Sequence, residues 1–240
     1  MIALAPSVYL AMRDDTSRLL DLDRGQFFAL DAIATRLLSL TLEHGPALAA
    51  ATVAGEYDAP EAQVRHDLDE LLRQLEGQGV LSGGRPATSR RWRRLLSLPL
   101  APLAWPGRCP AGVPTVRQAG RLLRRSWWSL RLFGWRGSID RWRPLGPKSP
   151  LGPAESRELI DGVDASIREA GSRSVFLAVA CKERALAVYY LLRSHGLPAV
   201  LVVGVQHFPF RAHAWVEIDG RFVTDDAEHC TQFTPVARHD

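Results

Sequence analysis

The fold is decided by CKERALAVYYLLRSHGLPAVLVVGV, residues 181–205, and by AHAWVEIDGRFVTDD, residues 212–226. The first stretch predicts a helix over 181–195, because its apolar residues recur at helical spacing and Gly196-Leu197-Pro198 stops it. Cys181 then lies in the first turn, where backbone N–H groups have no partner within the helix and carry partial positive charge. These groups stabilise a thiolate, which lowers the pKa of the thiol below about 8.5, and they can also stabilise an oxyanion.

After the helix the sequence predicts a strand, AVLVVGV, and then two strands joined by a turn at Asp219-Gly220. His213 lies on the second strand, 32 residues after the cysteine, and two aspartates follow it 12 and 13 residues later. A two-residue turn would place His213 opposite Asp226, whereas a three-residue loop with the glycine in a left-handed bulge position would place it opposite Asp225. The sequence permits both registers, with a slight preference for Asp225.

A thiol at a helix N-terminus, an imidazole on a strand and a carboxylate on the neighbouring strand form a predicted thiol-peptidase site. The imidazole can take the proton of the thiol and later return one to the leaving amine. The carboxylate fixes the tautomer of the imidazole and balances its charge when it is protonated. Taken singly, Cys181 could be a small core residue and His213 a hydrogen-bonded strand residue, but their order on these elements favours catalysis.

At 240 residues and 46% apolar composition, the chain is long enough for one large domain or two small ones. No run approaches the roughly 18–20 apolar residues of a membrane span, and the start MIALAPSVYLAMRDD lacks the basic segment of a secretory signal. Three cysteines, Cys109, Cys181 and Cys230, are too few and too scattered for a disulfide framework or a zinc site. We therefore expect a cytoplasmic protein without a metal or cofactor.

Charge is distributed unevenly along the chain, whose net charge is +4. Residues 85–147 carry 14 arginines against a single acidic residue, Asp140, and include six of the seven tryptophans. Such a block can contact nucleic acid, an anionic membrane, an acidic partner protein or a peptide. Prolines and leucines dilute the arginines and no nucleic-acid motif accompanies them, so we favour a linker and a helix whose arginine stems cover apolar surface.

Residues 1–84 predict a small winged-helix-like module of short strands followed by three helices. The strands are SVYLAMRD, RLLDLD and QFFALD, with a turn at Asp23-Arg24-Gly25 between the second and third. Asp31 caps the first helix, which stops at Gly45-Pro46, and Asp58 caps the third. The apolar face of the third helix comprises Val64, Leu68, Leu71, Leu72 and Leu75.

The ligand predicted for this module is an extended peptide rather than DNA. Its net charge of −7 has the wrong sign for phosphate binding, whereas an exposed strand edge beside an amphipathic helix can take up a peptide as an added strand. The predicted contact residues are Gln26, Phe27, Phe28, Ala29 and Leu30 on the third strand, with Val64, Leu68 and Leu71 on the third helix. In the alternative interpretation Phe27 and Phe28 are core residues.

Residues 85–115 contain six prolines and little periodicity, which predicts a linker with some local structure. A C-terminal α+β domain over residues 116–240 then begins with a helix near Val116, and a further helix follows over about 154–170. The apolar residues expected in the cores of these two helices are Leu123, Trp127, Leu130, Leu159, Val163 and Ile167.

The C-terminal sequence resembles that of lasso-peptide biosynthesis B proteins, which have a papain- and transglutaminase-like cysteine-protease fold. The likeness covers roughly residues 116–230 and rests on a cysteine heading an R-A-L-A helix, LLRSHGLPA before a V-V-G-V strand, AHAWVE, a D-G turn and a final D-D. It implies that Cys181 is the nucleophile, His213 the general base and Asp225 the orienting carboxylate. Lys182-Glu183 departs from the Leu-Pro that relatives often carry after the cysteine, which affects the shape of the pocket.

Residues 1–84 are in turn similar to the PqqD-like precursor-recognition element, which binds the leader of a ribosomal peptide between its third strand and third helix. The two resemblances imply a fused protein that binds the leader of a lasso-peptide precursor and cleaves it off through a thioester with Cys181. A separate ATP-dependent, asparagine-synthetase-like cyclase would then use the freed α-amine to close the ring. The precursor, the cyclase and an ABC exporter are the implied partners, and no nucleic acid is expected.

Three other functions fit parts of the sequence. A transglutaminase-like acyltransferase would pass the thioester to an amine instead of water. A non-catalytic scaffold would bind the peptide through a degenerate domain and would not need Cys181. A DNA-binding regulator would use the winged-helix pattern and the arginines, but the acidic N-terminal module makes this the least favoured interpretation.

Overall fold

A computed structural model gives the structure of the chain and describes residues 2–24, 26–82, 102–144, 151–173, 180–207 and 210–240. The chain divides into two compact units, residues 1–93 and 94–240, which are described separately. Both units combine α-helices with antiparallel strands, so the predicted α+β class is confirmed. Gly25 of the predicted turn, the arginines at 85–94 and loop residues 208–209 lie outside the described residues.

In the N-terminal unit a three-stranded antiparallel sheet precedes three helices, as the sequence predicts. Its elements are β1 (Ala3–Leu4), β2 (Val8–Arg13), β3 (Thr16–Asp21), β4 (Gln26–Leu30), α1 (Ala32–His44), α2 (Pro46–Glu56), α3 (Glu61–Gly77) and β5 (Leu81–Ser82). The sheet has the order β2-β3-β4, and β1 pairs with β5. Leu19, Leu38 and Leu68, from the sheet, α1 and α3, are almost fully buried in one shared core.

One predicted helix cap in this unit is formed and another is not. The carboxylate of Asp31 accepts a hydrogen bond from the backbone N–H of Ala34 at 2.8 Å and caps α1. Asp58 does not cap α3, because the helix begins after Pro60, and Asp58 has a left-handed φ of 49° in the preceding turn. Helical geometry is disfavoured for a residue that precedes proline, so Ala59 stays outside the helix, which begins at Glu61.

In the C-terminal unit a central helix lies between a four-stranded antiparallel sheet and two further helices. Its elements are α4 (Val116–Trp142), α5 (Pro153–Ser172), α6 (Cys181–Ser194), β6 (Val200–His207), β7 (Phe210–Ile218), β8 (Arg221–Val223), α7 (Ala227–Cys230) and β9 (Thr234–His239). The strand order is β8-β7-β6-β9. The edge strand β9 and the short helix α7 were not predicted from the sequence.

The central helix α6 is buried on nearly all sides, although its sequence suggested a one-sided apolar face. Every residue from Ala185 to Leu192 is at most 7% exposed. The helix contacts α4 and α5 as well as β6 and β7, and a helix in such a position has to be apolar around its whole circumference. This packing holds the N-terminal end of α6, where Cys181 lies.

The long helix α4 is interrupted at Gly134, whose φ of 72° is not helical. Before the kink Leu123 is buried as predicted, while Trp127 and Leu130 are only half-buried. After it Trp135 is fully buried. The predicted core positions of α5, at 159, 163 and 167, are all buried. Across the described ranges, no helix has both the length and the apolar character that a membrane crossing requires.

Part of the predicted linker packs against the helices of the C-terminal unit. The indole N–H of Trp142 donates to the carbonyl of Ala104 at 3.1 Å, and the hydroxyl of Tyr190 donates to the carbonyl of Gly107 at 2.7 Å. Trp142 and Ala104 are both completely buried. Because large buried side chains need partners for their polar atoms, residues 104–107 are structural members of this unit.

Candidate active site

Cys181 is the first residue of α6, so its thiol lies at the positively polarised end of the helix. The thiol is half-buried and hydrogen-bonds to the imidazole of His213 and to the backbone of Ala214 on β7. Burial raises the pKa of this thiol, but these bonds and the charges of His213 and Lys182 outweigh burial and hold the pKa below its ordinary value.

His213 lies on β7 opposite Gly204 of β6 and is only 8% exposed. Its Nε2 stands 2.9 Å from Oδ2 of Asp225, which leaves Nδ1 to meet the thiol. Burial lowers the pKa of the imidazole, but the bonds to Asp225 and Cys181 raise it to about 9. Burial likewise raises the pKa of Asp225, while His213 and the charge of Arg184 bring it below its ordinary value. The lowered pKa of the thiol and the raised pKa of the imidazole both act in the direction of proton transfer from Cys181 to His213.

The hairpin between β7 and β8 closes through a two-residue turn. Ile218 pairs with Arg221, and the two residues between them have positive φ values of 47° and 77°, as a tight hairpin turn requires. The three-residue loop that would have placed Asp225 in line with His213 is therefore not formed. If β8 continued in this register beyond Val223, Asp226 would lie opposite His213.

A left-handed residue after β8 reverses that outcome. β8 ends at Val223, and Thr224 has a φ of 71°, so the chain leaves the strand direction and the carboxylate of Asp225 meets His213. The side chain of Asp226 is 83% exposed. A β-branched residue in the left-handed region is strained and persists only where its surroundings enforce it. Thr224 is 1% exposed, so the surrounding side chains are close enough to enforce this backbone conformation.

Aromatic rings hold the imidazole of His213 in place. Trp215 stacks on it with a centroid distance of 5.9 Å and an interplanar angle of 18°, and the ring of Phe233 lies 5.1 Å away. The indole N–H of Trp215 donates to Glu217 at 2.8 Å, and Arg238 binds the same carboxylate at 2.8 Å. Trp215 and Phe233 are buried, so the imidazole has little room to rotate away from its carboxylate partner.

Glu183 belongs to this site, although the sequence singled it out only as part of the Lys182-Glu183 departure from the family motif. It is 4% exposed, and its carboxylate accepts a hydrogen bond from the backbone N–H of Ala180 at 3.0 Å. Arg131 of α4 lies 3.4 Å from the same carboxylate and stacks over the ring of Trp127 at 3.5 Å. Ala180 has no side chain that can cap α6, so an acid at the third helical position was the available signal. Glu183 anchors the turn that presents Cys181.

The other two cysteines have different surroundings. Burial raises the pKa of Cys230 to about 12, so it is an inert core thiol. The sulfur of Cys109 lies 3.7 Å from Nδ1 of His195. His195 follows the last residue of α6, so Cys109 lies at the opposite end of this helix from Cys181. None of the three cysteines, all of which lie in the described ranges, forms a disulfide.

The predicted peptide-binding residues all lie in the N-terminal unit, where β4 pairs with β3 and has no second partner among the described strands. Three of their side chains are exposed, namely those of Gln26, Phe27 and Ala29. Three more are half-buried against the core, namely those of Phe28, Leu30 and Leu71. Val64 and Leu68 are 7% and 1% exposed, so they are core residues that can shape a groove only from beneath.

Comparison with protein-family models assigns the two units to different families. Residues 17–81 match coenzyme PQQ synthesis protein D (PqqD), and residues 123–238 match the transglutaminase-like superfamily. The protein is thus a PqqD-like module joined to a transglutaminase-like domain, as the sequence predicts.

Two solved structures are similar to the chain. TbiB1 in complex with the TbiA(beta) leader peptide is 34% identical, with 35% of this chain and 98% of that chain covered and a TM-score of 0.32. A lasso peptide synthetase B1 complexed with the leader peptide is 26% identical, with 34% and 96% covered and a TM-score of 0.32. No curated protein matches. Because 34% identity extends over nearly all of the first relative and both family matches lie on one chain, the chain belongs to the lasso-peptide B proteins, in a fused form.

Gly204 provides the space for the aromatic packing around His213, which makes it a test of the site. A Cβ at this position would lie 2.6 Å from Cη2 of Trp215 and 2.9 Å from Cβ of Phe233. We expect Gly204→Ala to displace the indole, to destabilise the fold by about 1–3 kcal/mol and to slow alkylation of Cys181. Thermal unfolding and iodoacetamide kinetics measure the two effects. Gly120→Ala on α4, where an added Cβ meets nothing within 4 Å, is the control and is expected to lower neither.

A second prediction concerns the titration of the thiol. The rate at which iodoacetamide alkylates Cys181, followed by mass of the peptide that contains it, should rise with pH with a midpoint below the value of about 8.5 for a free thiol. In His213→Ala the midpoint should move up, because burial remains while the hydrogen bond that lowers the pKa is lost. Asp226→Asn serves as the control and should not move it. A midpoint unchanged by His213→Ala would contradict the arrangement.

Proposed function

We propose that this protein binds the leader of a ribosomally made lasso-peptide precursor and removes it by thiol-peptidase chemistry at Cys181, His213 and Asp225. The observation that carries the proposal is the continuous hydrogen-bonded row from the thiol at the start of α6 through the imidazole to the carboxylate, with 2.9 Å between Nε2 and Oδ2. A buried imidazole bound at both nitrogens is able to move a proton to and from the thiol. The transglutaminase-like family match supports the same chemistry.

In the proposed reaction the thiolate of Cys181 attacks the carbonyl carbon of the scissile bond, and N–H groups at the start of α6 are available to the developing oxyanion. The imidazolium of His213 gives its Nδ1 proton to the leaving amine, which departs as the N-terminus of the core peptide. The leader remains as a thioester. Neutral His213 then takes a proton from the water that attacks the thioester, and the thiolate leaves. Asp225 holds the Nε2 proton throughout, so the ring keeps one tautomer.

For recognition of the leader we propose strand addition at β4. The strand lies at the edge of its sheet in the described part of the chain, and beside that edge the side chain of Phe27 is 47% exposed. Backbone hydrogen bonds of an added strand supply affinity, and contacts with alternate side chains supply selectivity. In this arrangement Phe27 and Leu71 contact the leader, while Val64 and Leu68 support the groove from the core.

The product of the reaction determines the partners that we propose. Cleavage frees an α-amine, which an ATP-dependent, asparagine-synthetase-like cyclase would join to an acidic side chain of the core peptide. We assign the arginine-rich segment, residues 85–147, to contact with this cyclase, the peptide or an ABC exporter. A cytoplasmic location is part of the proposal, and three cysteines outside any disulfide agree with a reducing compartment.

The same thioester supports a second candidate function, transfer of the acyl group to an amine instead of water. The observation in its favour is the transglutaminase-like family match over residues 123–238. A product that carries the mass of an added primary amine would identify this acyltransferase, whereas a leader with a free carboxylate identifies the peptidase.

The test of the peptidase is the mass of the fragments formed from a precursor peptide, with the cyclase present and absent. We expect the native protein to release leader and core, and Cys181→Ala to release neither. Asp225→Asn should lower the rate by about 10²–10⁴-fold, because the imidazole loses its tautomer and the counter-charge. Asp226→Asn is the matched control, since this neighbouring carboxylate is exposed, and it should keep most of the rate. Cleavage that persists in Cys181→Ala would refute the proposal.

The test of leader recognition is the affinity of a labelled leader peptide, measured by fluorescence polarisation. Phe27→Ala should weaken binding by about tenfold, which corresponds to the loss of roughly 1.4 kcal/mol of apolar contact. Leu48→Ala, which truncates a 54% exposed side chain on α2 of the same unit, is the control and should leave the affinity unchanged. Equal affinities of the two variants and the native protein would place the leader elsewhere.

A further inference from the structure

His229 adds a second imidazole to the candidate active site, and the proposed reaction does not use it. It lies on α7, and its ring stands edge-on to that of His213 with centroids 4.8 Å apart and an interplanar angle of 84°. One ligand atom each from His213, Asp225 and His229 can be chosen so that all lie within 4.8 Å of one another. His229 is exposed while His213 is buried, so the cluster can be reached from solvent on the His229 side.

We propose that His213, Asp225 and His229 form a site for a divalent transition metal of the Zn²⁺ type, and that binding there inhibits the enzyme. Two imidazole nitrogens and one carboxylate oxygen are a donor set that suits zinc, with a fourth position left for water. Tetrahedral zinc with bonds of about 2.1 Å needs donors roughly 3.4 Å apart. Nε2 of His213 and Oδ2 of Asp225 are 2.9 Å apart, so the main adjustment is an inward movement of the exposed His229 ring by up to about 1.4 Å, from the 4.8 Å limit of the cluster.

The inhibitory effect follows from the nitrogen that the metal would occupy, and it rests on the proposed peptidase function. A metal on Nε2 of His213 replaces the proton shared with Asp225, and that proton passes to solvent. The ring can then hold only one proton, at Nδ1, so the imidazolium that protonates the leaving amine cannot form. Asp225 is engaged by the metal and no longer orients the ring. The thiol of Cys181 is not a ligand in this arrangement.

Some of the charged groups around the cluster would attract a bound cation and others would repel it. Asp226 and Glu228 are close along the chain and add negative charge, while Arg184 acts on Asp225 and Arg168 lies 3.9 Å from Asp226. Trp215 and Phe233 pack against His213 and fix its ring, as outer-shell groups do for metal ligands. Thiol enzymes can also bind zinc through the thiolate itself, so the decisive experiment removes the thiol.

The binding test uses full-length Cys181→Ala protein titrated with Co²⁺, followed by visible absorption, and with Zn²⁺, followed by calorimetry. We expect one ion per chain and no thiolate-to-cobalt band, which excludes Cys109 and Cys230 as ligands. Adding His229→Gln should weaken binding at least tenfold. His66→Gln, which changes an exposed histidine on α3, is the control and should leave binding unchanged. No binding in Cys181→Ala, or binding insensitive to His229→Gln, overturns the proposal.

The functional test compares cleavage of the precursor with and without Zn²⁺ in protein that keeps Cys181. Zinc should lower the rate, a chelator should restore it, and His229→Gln should raise the half-inhibitory Zn²⁺ concentration at least tenfold. An equal zinc sensitivity of the native protein and His229→Gln overturns the inhibitory role. If the protein proves to have no peptidase activity, the binding test still decides whether the metal site exists.

Discussion

In the C-terminal unit the geometry of the candidate site depends on the contact between the imidazole of His213 and the carboxylate of Asp225. An imidazole that is 8% exposed can carry a proton on both nitrogens only where counter-charges and hydrogen bonds replace the water that it has lost. Asp225 supplies these at Nε2 and the thiol of Cys181 supplies them at Nδ1, which together raise the pKa of the ring to about 9. The contact therefore couples the start of α6, the middle of β7 and the chain after β8.

The scaffold around this contact accepts local strain and tight packing to keep it. Thr224 holds a left-handed backbone so that the following carboxylate reaches the ring, and Gly204 leaves out a side chain so that Trp215 can stack on it. Glu183 is buried where an exposed acid would be ordinary, because it closes the turn before the cysteine. Features that contradict local preference are expected to cluster at functional sites. All three lie within one turn or strand pair of the candidate catalytic set.

Elements that depend on nearby residues were predictable from the sequence, whereas elements that depend on distant residues were not. The helices and the strands of both sheets were predictable where apolar residues repeat or caps are present, as with Asp31 and α1. The cap at Asp58 was wrong because a proline two residues later sets the start of α3. β9 was missed because TPVARH has little alternation and becomes a strand only through pairing with β6.

By itself the sequence determined the order of the two modules, the class of the fold and the three residue types of the candidate site, because periodicity, turns and motif spacing are written locally. Only the tertiary structure decided which aspartate meets His213. The hairpin register pointed to Asp226, and the left-handed turn at Thr224 selected Asp225. The structure also placed His229 beside the pair and Glu183 beneath the cysteine. Such contacts join residues on different elements, so their geometry depends on how those elements pack and not on the spacing of residues along the chain.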